Sequence, residues 1–264
     1  MMPVSSRKHS QQAFSDLRGA SARVLLLGCT YEARLFAQRL AQLSHISSII
    51  SLAGRTQSPL PLALPVRVGG FGGVEGLAHF IKNERITHVV DATHPFALKI
   101  SENAQQACAQ SHIPLLCLSR PAWQQVAGDR WIEVADNNAA VSMLGVASQR
   151  VFLTIGRQGV ADFCAAQHHD YLLRVIERPE PCKLPRNSRV IIDRGPFSLE
   201  GEIALLRESK IDIVVSKNSG GNLTYAKIVA ARQLGIDVIM ITPPKHKGVI
   251  TTHDLDTALE FIVG

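Results

Sequence analysis

The chain has 264 residues, of which 46% are hydrophobic and 5% aromatic, and its formal net charge is +6. This length and apolar content allow two domains with sizeable cores, and the apolar runs are too short for membrane-spanning helices, so we expect no membrane segment. The positive charge indicates an anionic partner, while the low aromatic content argues against single-stranded nucleic acid.

The N-terminal residues 1–21 are polar and lack the apolar core of a secretory signal peptide. We therefore expect a flexible extension on a cytoplasmic protein. The ten histidines and five cysteines form no H-E-x-x-H or C-x-x-C pattern, which predicts that the protein itself binds no metal. Neither predicted domain shows an apolar face left over for contact with a second copy, so we expect a monomer.

Strand-like apolar runs alternate with helix-like segments along the chain, a pattern typical of an α/β protein with open, mainly parallel sheets. A break at Ser119–Arg120–Pro121 divides this series. We predict two Rossmann-like domains, 22–118 and 119–264, that meet along a cleft. The predicted strands are 23–27, 48–52, 66–68, 87–91, 114–118, 131–134, 150–155, 171–176, 189–193, 211–216 and 237–241. The predicted helices are 31–43, 74–84, 97–111, 137–147, 159–167, 199–209, 222–234 and 253–262.

The first predicted strand ends in a turn at Gly28. Thr30 is suited to cap the following helix, whose first amide groups would then be open to a pyrophosphate. Gly28 is the only glycine of the G-x-G-x-x-G fingerprint, with Cys29, Thr30 and Ala33 in the neighbouring positions. A purely structural turn between strand and helix therefore fits this motif as well as a pyrophosphate site does.

The second predicted strand ends in Ala53–Gly54–Arg55–Thr56, without the acidic residue that NAD-binding domains usually place there. The Arg55 guanidinium could bind a 2′-phosphate through two hydrogen bonds. This favours NADP(H) over NAD(H). The alternative is a solvated loop arginine.

A glycine-rich segment, Gly69–Gly70–Phe71–Gly72–Gly73, follows the third strand. Its glycines, including Gly70 and Gly72, would let backbone approach a ligand closely, and Phe71 could cover a ring. The alternative is a tight turn without a ligand.

The fourth strand ends in Asp91–Ala92–Thr93–His94, followed by Pro95. Thr93 and Pro95 fit the ordinary pattern of a helix start. His94 differs, because an imidazole titrates near neutral pH and stands at a strand end. Both a functional and a structural role remain open for it.

Basic residues follow six of the predicted strands, at the edge where open parallel sheets bind ligands. This indicates an anion-binding surface, although loops are often charged for solubility alone. The six residues are Arg55, Arg120, Arg157, Arg178, Arg194 and Lys217.

The segment Ser219–Gly220–Gly221 would place flexible backbone amides at the start of a predicted helix. Lys217 precedes it, and Tyr225 and Lys227 follow about one turn later. Together these groups are suited to clamp a carboxylate or a phosphate. An S-G-G turn by itself would be structural.

Eight short motifs stand in the order and spacing of the precorrin-6A reductases of vitamin B12 biosynthesis, and the chain resembles that family over roughly residues 23–244. The motifs are GCTYEAR, SLAGRT, GGFGG, DATHPFA, LTIGRQ, VIERP, RGPFS and SKNSGGNLTYAK with AARQLG. The resemblance implies an NADPH-dependent enzyme that reduces one C=C bond of the macrocycle, converting precorrin-6A or its cobalt form to precorrin-6B. That tetrapyrrole carries many carboxylates, which agrees with the basic strand ends.

The resemblance also implies site residues, which divide into two groups. The NADPH site would contain Gly28, Thr30, Glu32, Arg55, Thr56 and the segment 91–94. Lys217, Ser219, Gly220, Gly221, Tyr225 and Lys227 would face the substrate and the nicotinamide. Arg157 and Arg194 are further expected substrate contacts.

The expected catalytic residues are His94, Lys217 and Tyr225. Cationic side chains would favour electron flow into the conjugated ring, and His94, Tyr225 or a water molecule would supply the proton. Two other functions remain open, a nucleotide-dependent transferase and a non-catalytic NADP-binding redox sensor.

Two positions depart from the family pattern. Cys29 replaces a common second glycine, which should only narrow the turn. Thr242 stands where the family commonly has an arginine before proline, which removes one anion contact.

Overall fold

The computed structural model describes residues 22–28, 30–54, 61–244 and 248–264. The expected extension 1–21 and the site candidates Arg55 and Thr56 lie outside the described residues, as does Cys29. The strands are β1 (Ala22–Leu27), β2 (Ile46–Leu52), β3 (Val66–Val68), β4 (His88–Asp91), β5 (Leu115–Leu118), β6 (Trp131–Val134), β7 (Arg150–Thr154), β8 (Asp170–Val175), β9 (Ser188–Ile192), β10 (Ile213–Lys217), β11 (Asp237–Ile241) and β12 (Ile250–Thr252). The α-helices are α1 (Tyr31–Leu40), α2 (Val74–Asn83), α3 (Leu98–Ser111), α4 (Asn137–Met143), α5 (Leu199–Glu208), α6 (Ala226–Leu234) and α7 (Leu255–Val263).

The chain divides into two compact units, each built around one sheet. One unit contains Met1–Arg120 together with Lys245–Gly264, and the other contains Pro121–Pro244. The expected second domain, 119–264, therefore differs from the structure at its C-terminal end. Parallel pairing of β12 with β5, a strand far away in the sequence, places that end in the first sheet, and the strand at 250–252 was not predicted.

The first sheet has the strand order β3-β2-β1-β4-β5-β12, and every described pairing in it is parallel. Its central strand β1 is buried on both faces, as expected for a strand covered by helices on both sides. Val24 and Leu26 pack in one core with Phe36 of α1 and Ile262 of α7. Leu25 and Leu27 face the other core, with residues of α2 and α3.

The second sheet has the order β9-β8-β7-β10-β11-β6, again with parallel pairing throughout the described strands. One face packs Phe152, Val214 and Met240 against Leu206 of α5 and Ile228 of α6. The predicted α/β class with two Rossmann-like, parallel-stranded domains is confirmed.

Four predicted helices begin or wind differently, and one of them, predicted from 253, begins at Leu255. The segment predicted as a helix at 159–167 is a 3₁₀ helix over Arg157–Ala165. The helix predicted from 97 begins at Leu98 and the one predicted from 222 begins at Ala226, so the loops before them are longer than expected. In the described part of the chain, no helix is long and apolar enough to cross a membrane.

Candidate functional site

The strand order of the first sheet reverses beside β1, because the chain adds β2 and β3 on one side and then returns to place β4 on the other. Ligands of open parallel sheets bind at the carboxyl ends of the strands that flank such a reversal. Leu27 and Asp91 are paired there at the ends of β1 and β4. The turns that follow them are therefore the candidate site of the first unit.

The turn after β1 depends on Gly28, whose φ is +126°. A Cβ at this position would lie 2.3 Å from the Ala92 carbonyl oxygen, so a larger residue would push the two turns apart. Thr30 caps α1 as predicted, because its Oγ1 accepts a hydrogen bond from the buried Ala33 amide at 3.1 Å. The same hydroxyl donates to the Ala92 oxygen at 2.8 Å. These contacts lock the start of α1 to the end of β4.

The segment after β4 is a loop and not a helix start. The Thr93 amide donates to the buried Asp91 carboxylate at 3.0 Å, whereas the cap position of α3 is Ala97. The prediction that Thr93 and Pro95 open the helix is therefore wrong, since the Thr93 amide binds the Asp91 side chain and α3 begins at Leu98. His94 is exposed, and its Nδ1 accepts from the Phe96 amide at 3.3 Å.

Glu32 lies in the first turn of α1 and pairs with Arg120, with 3.2 Å between the Arg120 Nη1 and the Glu32 Oε2. Both side chains are largely buried, at 21% and 16% exposed. Arg120 thus neutralises a carboxylate close to the helix start, where an anionic ligand would otherwise be repelled. The sequence indicated both residues, but their pairing was not foreseen.

The glycine-rich loop 69–73 lies after β3 and next to the end of β2, since the Gly69 amide donates to the Leu52 oxygen. A Cβ at Gly54 would come within 3.1 Å of the Val68 side chain, which brings this loop close to the end of β2. Gly70 and Gly72 have open space where a Cβ would stand, and Gly72 has a φ of +87°.

Phe71 differs from its expected role as a cover for a ligand ring. Its ring packs edge-on against Phe80, with centroids 5.2 Å apart, and the Arg67 guanidinium lies 3.9 Å from its centroid. Phe71 therefore anchors the loop against the protein.

Arg67 on β3 was missed by the sequence analysis. Its guanidinium donates to the carbonyl oxygens of Gly69 and Gly70 at 2.5 and 2.9 Å and to the Ser51 hydroxyl at 3.3 Å. Burial lowers the pKa of this arginine from its ordinary value. The available signal was an arginine two residues before a run of glycines, a position suited to bind their carbonyls.

The second sheet reverses in the same way beside β7, with β8 and β9 on one side and β10 on the other. After β7 the chain passes through Gly156, which has a φ of +75°, and enters the 3₁₀ helix at Arg157. Arg157 pairs with Glu177 at 2.8 Å. Arg178 and Arg194, which follow β8 and β9, are exposed. These three arginines lie at the carboxyl edge of the sheet, together with the carboxylates of Glu177 and Asp193.

Lys217 is the last residue of β10, directly beside the strand reversal. Burial lowers the pKa of its ammonium group, and the carboxylate of Asp162 partly offsets that effect. A partly buried lysine releases its proton more readily than an exposed one. The site therefore contains an ammonium group suited to proton transfer.

The Ser219–Gly220–Gly221 turn lies after β10 and ends five residues before α6. The expectation that it opens the helix is wrong, because residues 222–225 separate the two. Asn218 and Trp123 hold the turn. The buried Asn218 side chain accepts from the Trp123 amide at 2.8 Å and donates to the Trp123 oxygen at 2.9 Å. The Trp123 indole donates to the Gly221 oxygen at 2.7 Å.

Tyr225 and Lys227 are placed differently from the expected clamp. The Tyr225 hydroxyl accepts a hydrogen bond from Arg232, two turns along α6, at 2.8 Å. Lys227 is 3% exposed, donates to the Thr224 oxygen at 2.7 Å and lies 4.9 Å from the Trp123 ring centroid. Both side chains lie near Trp123, which holds the Ser219–Gly221 turn. They are placed there and not in a clamp because α6 starts later than predicted. The Thr242 hydroxyl binds the Val134 oxygen at 3.2 Å.

A protein-family model described as "Precorrin-6x reductase CbiJ/CobK" matches residues 23–263 of this chain. A "Precorrin-6A reductase" from Sinorhizobium sp is 48% identical over 241 residues, which cover 91% of this chain and 92% of that protein. A "Cobalt-precorrin-6A reductase" from Priestia megaterium is 28% identical over 235 residues, 84% of this chain and 91% of that protein. A solved structure titled "CobK precorrin-6A reductase" superposes with a TM-score of 0.84 at 45% identity, covering 91% of this chain and 95% of that one.

Proposed function

The chain belongs to the precorrin-6x reductase CbiJ/CobK family, and from this premise we propose that it is an NADPH-dependent oxidoreductase of cobalamin biosynthesis. It reduces one C=C bond of the precorrin-6A macrocycle and gives precorrin-6B. The observation that carries the cofactor part is the turn at the strand reversal of the first sheet. There Thr30 bonds both the Ala33 amide and the Ala92 oxygen.

The residues of the first unit fit a dinucleotide. A short glycine turn leads into a capped helix at the strand reversal, which is the arrangement that binds a pyrophosphate in Rossmann domains. The Asp91 carboxylate is buried and accepts from the Thr93 amide, and Glu32 is paired with Arg120. Neither carboxylate therefore presents an uncompensated negative charge to a bound anion. The choice of NADPH over NADH rests on Arg55 from the sequence pattern, with Thr56 beside it.

The residues of the second unit fit a polycarboxylate. Arg157 and Arg194 follow β7 and β9, and Lys217 ends β10, at the carboxyl edge of the second sheet. The backbone of Ser219–Gly221 lies beside Lys217. Guanidinium and ammonium groups bind carboxylates through charge-assisted hydrogen bonds. We assign this edge to the acetate and propionate side chains of the tetrapyrrole.

The metal-free macrocycle is the proposed substrate. The chain is 48% identical to a relative named for precorrin-6A and 28% identical to one named for cobalt-precorrin-6A. Higher similarity to the first kind of relative supports the metal-free form, and an assay with both forms distinguishes them.

NADPH supplies a hydride to one ring carbon, and a proton must reach the adjacent carbon to complete the reduction. We assign that proton to Lys217, whose ammonium group is partly buried and whose pKa is lowered. Tyr225 is the alternative donor, because its hydroxyl accepts from Arg232 and keeps its own proton to donate. His94, exposed after β4, is assigned to the nicotinamide side of the site.

The test is an anaerobic absorbance assay of the purified protein with NADPH and either metal-free or cobalt-loaded precorrin-6A. Oxidation of NADPH at 340 nm should require the macrocycle, and the metal-free form should turn over faster. A protein that binds NADPH but oxidises none with either macrocycle would be a sensor and not a reductase. In the same assay, Arg55→Ala should raise the KM for NADPH far more than the KM for NADH.

A further inference from the structure

Arg67 holds the glycine-rich loop 69–73 in one conformation. Two of its guanidinium nitrogens donate to successive carbonyls, those of Gly69 and Gly70, and its guanidinium carbon lies over the Phe71 ring, 3.9 Å from the centroid. A third hydrogen bond reaches the hydroxyl of Ser51, at the end of β2. The arginine thus ties the loop to the strand beside it.

This bonding determines which way the loop amides point. In a trans peptide group the C=O and the N–H point in opposite directions. Because the Gly69 and Gly70 oxygens both face Arg67, the N–H groups of Gly70 and Phe71 face away from it. Two successive amides on one side of a loop form a concavity that attracts electron-rich ligand atoms.

The position of the loop indicates which ligand these amides would meet. The Gly69 amide donates to the Leu52 oxygen, so the loop lies at the carboxyl end of β2. In Rossmann domains this strand end binds the adenosine ribose of the dinucleotide. We propose that Arg67 is a positioning residue for the cofactor, which presents the amides of Gly70 and Phe71 to the adenosine half of NADPH. This inference rests on the proposed function.

Lysine cannot replace arginine in this role. Its ammonium group is a point charge on a flexible stem, whereas two carbonyls and an aromatic face require a planar group with several fixed donors. Arg67→Lys therefore keeps the charge and loses the geometry. Arg189→Lys is the matched control, since Arg189 lies on β9, an edge strand of the other sheet as β3 is of the first, and donates to the Ser209 hydroxyl.

The experiment measures dissociation constants of NADPH and NADH for the full-length protein by fluorescence titration, together with kcat and thermal stability. Arg67→Lys should weaken both cofactors about tenfold and equally, with kcat within about twofold of wild type, and Arg189→Lys should change neither. A loss confined to NADPH would mean that Arg67 contacts the 2′-phosphate directly, which overturns the positioning role. Unchanged dissociation constants with a lower melting temperature would make Arg67 purely structural and would also overturn it.

Hydrogen exchange of the wild-type protein gives a second test that does not depend on a variant folding. Saturating NADPH should slow exchange at the Gly70 and Phe71 amides. Unchanged exchange there, in a protein whose other amides respond to NADPH, would contradict the inference while leaving the proposed function intact. A wild-type protein that binds no NADPH at all would instead refute the proposed function.

Discussion

Five strands of each sheet follow one shared order, β3-β2-β1-β4-β5 and β9-β8-β7-β10-β11, yet the two strand reversals are built from different chemical groups. In the first sheet, β1 leads through Gly28 into an α-helix capped by Thr30, so backbone amides dominate. In the second, β7 leads through Gly156 into a 3₁₀ helix that starts with Arg157, and β10 ends in Lys217. The shared strand reversal thus offers a capped helix start in one unit and side-chain cations in the other.

This difference shows that the Rossmann-like order determines where a ligand binds but not which ligand it is. The strand reversal places loops at one edge, and the residues in those loops select the chemistry. We assign backbone donors to a cofactor of fixed shape and long cationic side chains to a substrate with many carboxylates.

The largest effect is expected from Gly28→Ala, which tests how tightly the first turn is built. Its φ of +126° and the 2.3 Å approach to the Ala92 oxygen make any Cβ costly. We therefore expect the free energy of unfolding to fall by about 3 kcal/mol and NADPH binding to be lost. Gly156→Ala should lose only about 1 kcal/mol, because no heavy atom lies within 4 Å of its Cβ position. Urea unfolding compares them, and equal losses would remove the contrast.

The next effect concerns Lys217, the proposed proton donor of the second unit. Lys217→Met should lower kcat on the order of 100-fold with a smaller change in the KM for NADPH. In the wild type, kcat should fall as the pH rises through the Lys217 pKa, which burial holds below its ordinary value. The variant should lack this alkaline limb, and Lys82→Met should retain it. A variant with normal kcat would assign the proton to another group.

A smaller effect is expected from Asn218→Asp, which changes one atom in the pairing with Trp123. Aspartate can still accept from the Trp123 amide but cannot donate to its oxygen. The Ser219–Gly221 turn should loosen, raising the KM for the macrocycle about tenfold and leaving the KM for NADPH unchanged. Asn187→Asp, an exposed amide at the opposite edge of the sheet, is the control. Equal rises in both KM values would show that the Ser219–Gly221 turn also affects cofactor binding.

The smallest effect concerns the pH dependence of stability in the second unit. His169 is buried, its Nδ1 accepts from the Gln149 amide, and burial, together with the neighbouring His168, lowers its pKa. Below about pH 6.5 the unfolded chain takes up a proton that the folded imidazole resists, so the free energy of unfolding should fall as the pH decreases. His169→Asn should flatten this dependence and His45→Asn should not. Urea titrations at pH 7.5 and 5.5 measure it.

Much of the site was visible in the sequence because it depends on local chemistry. The cap at Thr30, the turn at Gly28 and the basic strand ends all follow from residue types next to a strand end. The contacts of Phe71 and Lys227 were not visible, because the Phe71 ring packs on Phe80 of the next helix and the Lys227 ammonium group lies near Trp123 of a distant segment. Asn218 and Trp123 were missed because they bind each other from segments far apart in the sequence, whereas Arg67 binds carbonyls of its own loop and had a local signal.

The sequence by itself determined the alternation of strands and helices, the parallel class of both sheets and the family. Apolar periodicity and turn residues act over a few positions and are readable in one dimension. Tertiary structure alone decided that β12 completes the first sheet and that α6 begins at Ala226. It also decided that the Asn218 side chain pairs with the Trp123 backbone. The physical reason is that strand pairing, and hydrogen bonds between distant segments, depend on which groups the folded backbone brings together, and no local pattern encodes that.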